Sequence, residues 1–128
     1  MQKQLIKWYQ ENKRDFPWRK DQDPYHIWIS EIMLQQTTTE TVIPYYNRFL
    51  KNFPNVEALA SASLEEVYKM WEGLGYYRRA KHIHESAQII LEKYQGVFPY
   101  EYDAILSLKG IGEYTAGAIS SIAYGKQV

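Results

Sequence analysis

The chain has 128 residues, 45% of them hydrophobic and 23% charged, with only 7 Gly and 5 Pro, a length that fits one domain and a composition too apolar for a disordered segment. It contains no Cys, which removes disulfides, thiolate nucleophiles and zinc or iron-sulfur ligation by these residues and fits a reducing compartment. Its 15 basic residues balance 15 acidic ones, so bulk charge announces no polyanionic partner; with no run near the roughly 20 apolar residues that cross a bilayer and no signal-peptide core in MQKQLIKWYQENKR, it reads as cytoplasmic.

The punctuation that follows marks helices, with almost no strand signal. Asp23-Pro24 sets a capping side chain before a proline at the first helical position and opens a helix over PYHIWISEIMLQQ. A second helix is predicted from Thr39 to Phe53, with Pro44 in or near its first turn. Ser63 and Glu66 have capping-box spacing ahead of an apolar stripe of Leu64, Val67, Tyr68, Trp71 and Leu74, which Gly75 closes. After Tyr77 the stripe resumes through Ala80, Ile83, Ala87, Ile90, Leu91 and Tyr94 and stops at Gly96. A short helix over about 102–107 and a last one from Glu113 to Tyr124, ended by Gly125, complete the set. Phe-Pro recurs three times at unequal intervals, which argues against a solenoid. The expectation is a compact all-α domain with short loops.

Three local patterns suggest chemistry. In LKGIGEYTAGAI, Gly110 and Gly112 flank Ile111 immediately before a helix. Such a turn brings backbone close to a ligand, the first amides of the helix point outward, and Lys109 adds a charge, which together make a phosphate seat. Helix caps explain many such glycines equally well. Glu31 has Ile27, Trp28 and Leu34 as helical neighbours. Either it lies within the apolar stripe, where desolvation keeps a carboxyl protonated as a general acid, or it sits at the border with its carboxylate in water. Gln35, Gln36, Thr37 and Thr38 close the same helix with groups that can read base edges. The turn GLGYYRR presents Tyr76, Tyr77, Arg78 and Arg79, followed by Lys81, as rings and charges suited to stacking and phosphate contact; a solvated helix face is the alternative. Trp28 and Trp71 fall at core spacings. The three His do not form a metal cluster, since His82 and His84 point apart on a helix and His26 is remote.

Taken in order, DFPWRKDQDPYHIWISEIMLQQT, TVIPYYNRFLKNFP, WEGLGYYRRAKHIH and LKGIGEYTAGAISSIAYG resemble the N-terminal catalytic part of adenine DNA glycosylases, from about Trp8 to the end of the chain. The resemblance implies a helix-hairpin-helix glycosylase fold: an N-terminal helix, then a six-helix barrel with the hairpin at about 102–124, forming one wall of the cleft that receives a flipped base. It implies a duplex partner carrying adenine opposite 8-oxoguanine or guanine. Carried over by position, Glu31 resembles the acid that protonates adenine N7, and Trp18 and Arg19 resemble the base pocket. Gln36, with Gln35 and the adjoining Leu34 and Thr37, matches the amide segment inserted into the vacated stack. Tyr76, with Leu74 and Tyr77, matches the wedge on the 8-oxoguanine side, and Gly110 and Gly112 match the phosphate-gripping hairpin. Tyr114 stands where bifunctional relatives carry a Lys, which implies hydrolysis without an efficient lyase step.

A carboxylate near the developing sugar cation is also needed. The resemblance places it in an Asp after Val128, with the four Cys of a [4Fe-4S] cluster and the domain that recognises 8-oxoguanine further on. The expectation is therefore a fragment, with no cofactor or metal of its own, that is inactive without its missing half. Two other readings stay open: a non-catalytic DNA-binding module that keeps hairpin and wedge, and a helical protein-interaction domain.

Overall fold

The structure, a computed structural model, describes residues 22–35 and 37–125. Trp18, Arg19, Gln36 and the N-terminal helix expected from the sequence fall outside these residues. Among the described residues there are seven helices and no strand: α1 (Pro24–Leu34), α2 (Thr39–Asn52), α3 (Val56–Ser61), α4 (Leu64–Trp71), α5 (Tyr77–Tyr94), α6 (Tyr102–Leu106) and α7 (Glu113–Tyr124).

Helix α1 is the centre of the fold. Asp23 caps it, its side chain accepting from the Tyr25 amide at 2.8 Å, with Pro24 at the first position. From Ile27 to Met33 no residue is more than 3% exposed, so the helix is enclosed all round rather than buried on one stripe. Ser30 fits because its hydroxyl donates to the Ile27 carbonyl within the helix at 2.8 Å. α1 packs on both α2 and α7. The Tyr25 hydroxyl ties it to the end of α2 by donating to the Phe53 carbonyl at 2.7 Å. α7 buries Thr115, Ala116, Gly117, Ile119 and Ser120.

Aromatic pairs fill the core: Phe49 of α2 meets Phe53 at 5.0 Å and Trp71 of α4 at 6.0 Å, both edge-on, while Trp28 of α1 meets Phe98, in the segment after α5, at 5.5 Å. Trp28 and Trp71 are fully buried, the core role their spacing predicts. Ser63 and Glu66 form both halves of the capping box on α4.

Two local features differ from the sequence reading. α3 was absent from the predicted set because six residues are too few to show a stripe; its signal is Asn55, whose side chain accepts from the Ala58 amide at 2.8 Å. α2 runs through Pro44 well past its first turn. Pro44 and Glu40 are both exposed, so the carbonyl that proline leaves without a helical donor faces water. α5, the longest helix, is the spine against which α3 and α4 pack, and the pair of His84 Nε2 with the Ala62 carbonyl at 2.7 Å joins it to the end of α3.

Candidate nucleic-acid interface

Between α4 and α5 the chain makes a tight turn over residues 72–76. Among the described residues Tyr76 is one of two non-glycine residues with positive φ, at φ 54 and ψ 59, a left-handed conformation that costs an L-residue about 1–2 kcal/mol. The residue is 62% exposed. A strained backbone that holds an aromatic ring in solvent is the pattern of a site rather than of packing.

Arg79 explains what holds the turn. Its Nη1 donates to the carbonyls of Ile32 at 2.7 Å, Met33 at 3.3 Å and Gln35 at 2.6 Å. These belong to the C-terminus of α1, where carbonyls lack helical donors and the helix dipole favours a cation. Nη2 donates to the Gly75 carbonyl at 3.4 Å, which also accepts from Trp71 Nε1 at 3.0 Å. The guanidinium lies 5.5 Å from the Trp71 ring and 5.4 Å from the Tyr76 ring. Partial burial lowers its pKa from the ordinary arginine value, an effect the neighbouring Tyr76 hydroxyl opposes. Arg79 is thus a structural tie, which corrects its reading as a phosphate contact. Arg78 beside it is exposed and keeps that reading.

The hairpin between α6 and α7 is held by one face of α5. Ser86 Oγ donates to the Lys109 carbonyl at 3.1 Å, and Glu85 pairs with the Lys109 ammonium at 3.2 Å. Lys109 is therefore not a free charge beside the turn. The two glycines play different parts. Gly110 has φ +77, and a Cβ there would lie 2.9 Å from His82 Cβ, so both conformation and space demand glycine. Gly112 is extended, at φ −93 and ψ −179, and a Cβ there would meet nothing within 4 Å. No side chain caps the helix that follows. The open space beside Gly112 leaves the first amides of α7 approachable.

A cleft of about 290 Å³ joins these parts. Gln35 from the end of α1, Tyr76, Arg78 and His82 from the turn and α5, and Lys109 and Gly110 from the hairpin all line it, and none of its lining residues is acidic. Glu31 is buried, at 3% exposure, and lies one helical turn before Gln35 without lining the cleft itself. This settles the choice left open by spacing: the carboxyl is inside, not at a wet border. Leu34 and Thr37 are half-buried, and Leu74 is 7% exposed and belongs to the core, so its side chain supports the turn from below. Tyr77 is 43% exposed and meets Tyr68 edge-on at 5.6 Å. Tyr114 is 49% exposed on the first turn of α7. His82 was missed as a lining residue; its only sequence signal is its place in the second turn of a helix whose first turn carries Arg78 and Arg79.

Residues 29–123 match the family described as HhH-GPD superfamily base excision DNA repair protein. The chain belongs to this family. It is 50% identical over 120 residues to the adenine DNA glycosylase of Buchnera aphidicola (strain APS), a match that covers 93% of this chain and 34% of that protein. A solved thermostable thymine-DNA glycosylase is 34% identical with a TM-score of 0.85, covering 97% of this chain and 58% of that one. Endonuclease III in a non-covalent complex with DNA has a TM-score of 0.76 at 24% identity, covering 98% of this chain and 61% of that one; at that identity the likeness speaks for the fold alone. The all-helical fold implied by the resemblance is the fold observed. The chain spans about a third of the length of the Buchnera relative.

Proposed function

We propose that these residues are the N-terminal part of a monofunctional glycosylase that excises adenine mispaired with 8-oxoguanine or guanine from duplex DNA. The observation that carries the reading is the position of Glu31: a carboxyl at 3% exposure in the helix that the core encloses, one turn from a basic, aromatic-edged cleft. Carboxyl groups are seldom buried this deeply without a specific task.

In this reading the hairpin amides beside Gly110 and Gly112 hold a phosphate, Tyr76 and Tyr77 press on the stack, and Gln35 and Gln36 with Leu34 and Thr37 fill the gap left by the extruded base. Trp18 and Arg19 line the base pocket, and Leu74 supports the wedge. Glu31 donates its proton to adenine N7. The C1′–N9 bond then breaks with its electron pair leaving on the base, water adds to C1′ as hydroxyl, and the proton it releases restores the acid form of Glu31 for the next turnover. Tyr114 offers no amine for a Schiff base, so the product is an abasic site without coupled strand cleavage. The reading also needs a carboxylate to steady the sugar cation. The absence of Cys from all 128 residues means that none of them can supply a thiolate to a [4Fe-4S] cluster, and no step here depends on one. No helix among the described residues is long and apolar enough to cross a membrane, and we place the protein in the cytoplasm with its DNA.

The test is single-turnover excision of adenine opposite 8-oxoguanine by the full-length protein that carries this segment. Glu31→Gln is expected to slow the chemical step by at least about 10²-fold. An unchanged rate refutes the assignment.

A further inference from the structure

We infer that Arg79 is a positioning residue that locks the proposed wedge, Tyr76, to the end of α1, so that Tyr76 and Gln35 meet the duplex as one preset unit. The inference rests on the functional reading above and adds a residue that the reading does not use.

The geometry is specific to arginine. One guanidinium nitrogen reaches three carbonyls of a single helix end, and the other reaches the Gly75 carbonyl next to the wedge. A planar fork serves both sides at once; a lysine ammonium is a point donor and can satisfy one side. The same cation lies over the ring of Tyr76, at 5.4 Å, and over that of the buried Trp71, at 5.5 Å. It therefore holds both the backbone and the ring of a residue whose left-handed conformation would otherwise relax. The amide of Arg79 also donates to the Tyr76 carbonyl at 3.0 Å, so the residue that starts the helical ladder of α5 closes the tie. α1 carries Glu31 as well as Gln35. Through Arg79, the helix with the proposed acid and the turn with the proposed wedge share one anchor, which is the kind of support that keeps a site within tolerance.

The experiment uses the full-length protein that carries this segment, with a duplex containing 2-aminopurine opposite guanine. Affinity is read by anisotropy, and unstacking of the probe by its fluorescence at saturation. For Arg79→Met and Arg79→Lys, affinity is expected to stay within about threefold, because phosphate contacts dominate it. The fluorescence rise per bound complex is expected to fall to the Tyr76→Ala level for Met and to an intermediate level for Lys. The control Arg78→Gln should weaken affinity and leave the rise per complex intact. Should Arg79→Met fail to fold, shown by loss of its thermal transition, the lysine variant carries the comparison. A full rise at saturation in either folded Arg79 variant overturns the inference. A native chain that binds without any rise, or does not bind, fails in the wild type rather than in the variant and so strikes the functional reading itself.

Discussion

The two hairpin glycines allow fold and function to be separated by one methyl group. At Gly110 the methyl meets His82 Cβ at 2.9 Å and Nδ1 at 3.0 Å, and the near contact is with an atom fixed to the α5 backbone. Left-handed φ costs an alanine about 1–2 kcal/mol, and the steric overlap adds about 1–3 kcal/mol. Gly110→Ala is thus expected to destabilise by about 2–5 kcal/mol, which for a domain of this size lowers Tm by roughly 8–20 °C. At Gly112 the backbone is extended and the space is open, so alanine should leave stability unchanged or raise it by a few tenths of a kcal/mol through the unfolded chain. Its methyl, however, projects where a phosphate oxygen would approach the amides of α7. Thermal unfolding by circular dichroism measures the first effect, and anisotropy with a labelled duplex measures the second. Gly112→Ala should keep its Tm and lose affinity, while Gly110→Ala should lose Tm. Full DNA affinity in Gly112→Ala would refute the phosphate seat, and an unchanged Tm in Gly110→Ala would refute the packing argument.

Three other outcomes follow from contacts described above. Glu85→Gln releases Lys109 from its pair, so DNA affinity is expected to rise by up to about fivefold, the equivalent of about 1 kcal/mol for an exposed pair; a titration at low salt checks it, and a fall in affinity would contradict it. Burial pushes the phenol of Tyr124 up from 10.0 to about 12, with Asp23 and Tyr100 adding to the rise, and burial raises Tyr25 further still. A group whose folded pKa lies above its unfolded value stabilises fully below the unfolded pKa and loses that contribution as pH climbs. Tm should therefore hold up to about pH 10 and fall between about pH 10 and 12, with a shallower fall in Tyr25→Phe. Ser63→Ala removes the capping hydroxyl of α4 and is expected to cost about 1 kcal/mol by urea denaturation.

Much of the fold was readable because its helix ends are written in local chemistry. Asp23-Pro24, Ser63 with Glu66, and Gly125 each satisfy terminal backbone groups within a few residues of themselves, and the structure uses them so. Spacing could not say whether Glu31 is wet, because enclosure of α1 depends on α2 and α7 arriving from distant sequence. Arg79 was misread for the same reason: a basic residue after two tyrosines looks like a phosphate ligand until the carbonyls of residues 32–35 come within its reach. Lys109 reads as a free charge until α5 brings Glu85 beside it. Leu74 takes its place in the core through the turn that follows α4.

Helix α5 carries the proposed wedge at its start and, through His82, Glu85 and Ser86, the proposed phosphate grip further along. It therefore acts as a caliper. About 9 Å of axis separates Tyr76 from His82 at about 1.5 Å per residue, a span of two to three steps along a strand at about 3.4 Å each. One residue inserted between them would swing the jaws about 100° apart while leaving the bar itself straight, so under the proposed function the register of this helix sets which nucleotide is probed.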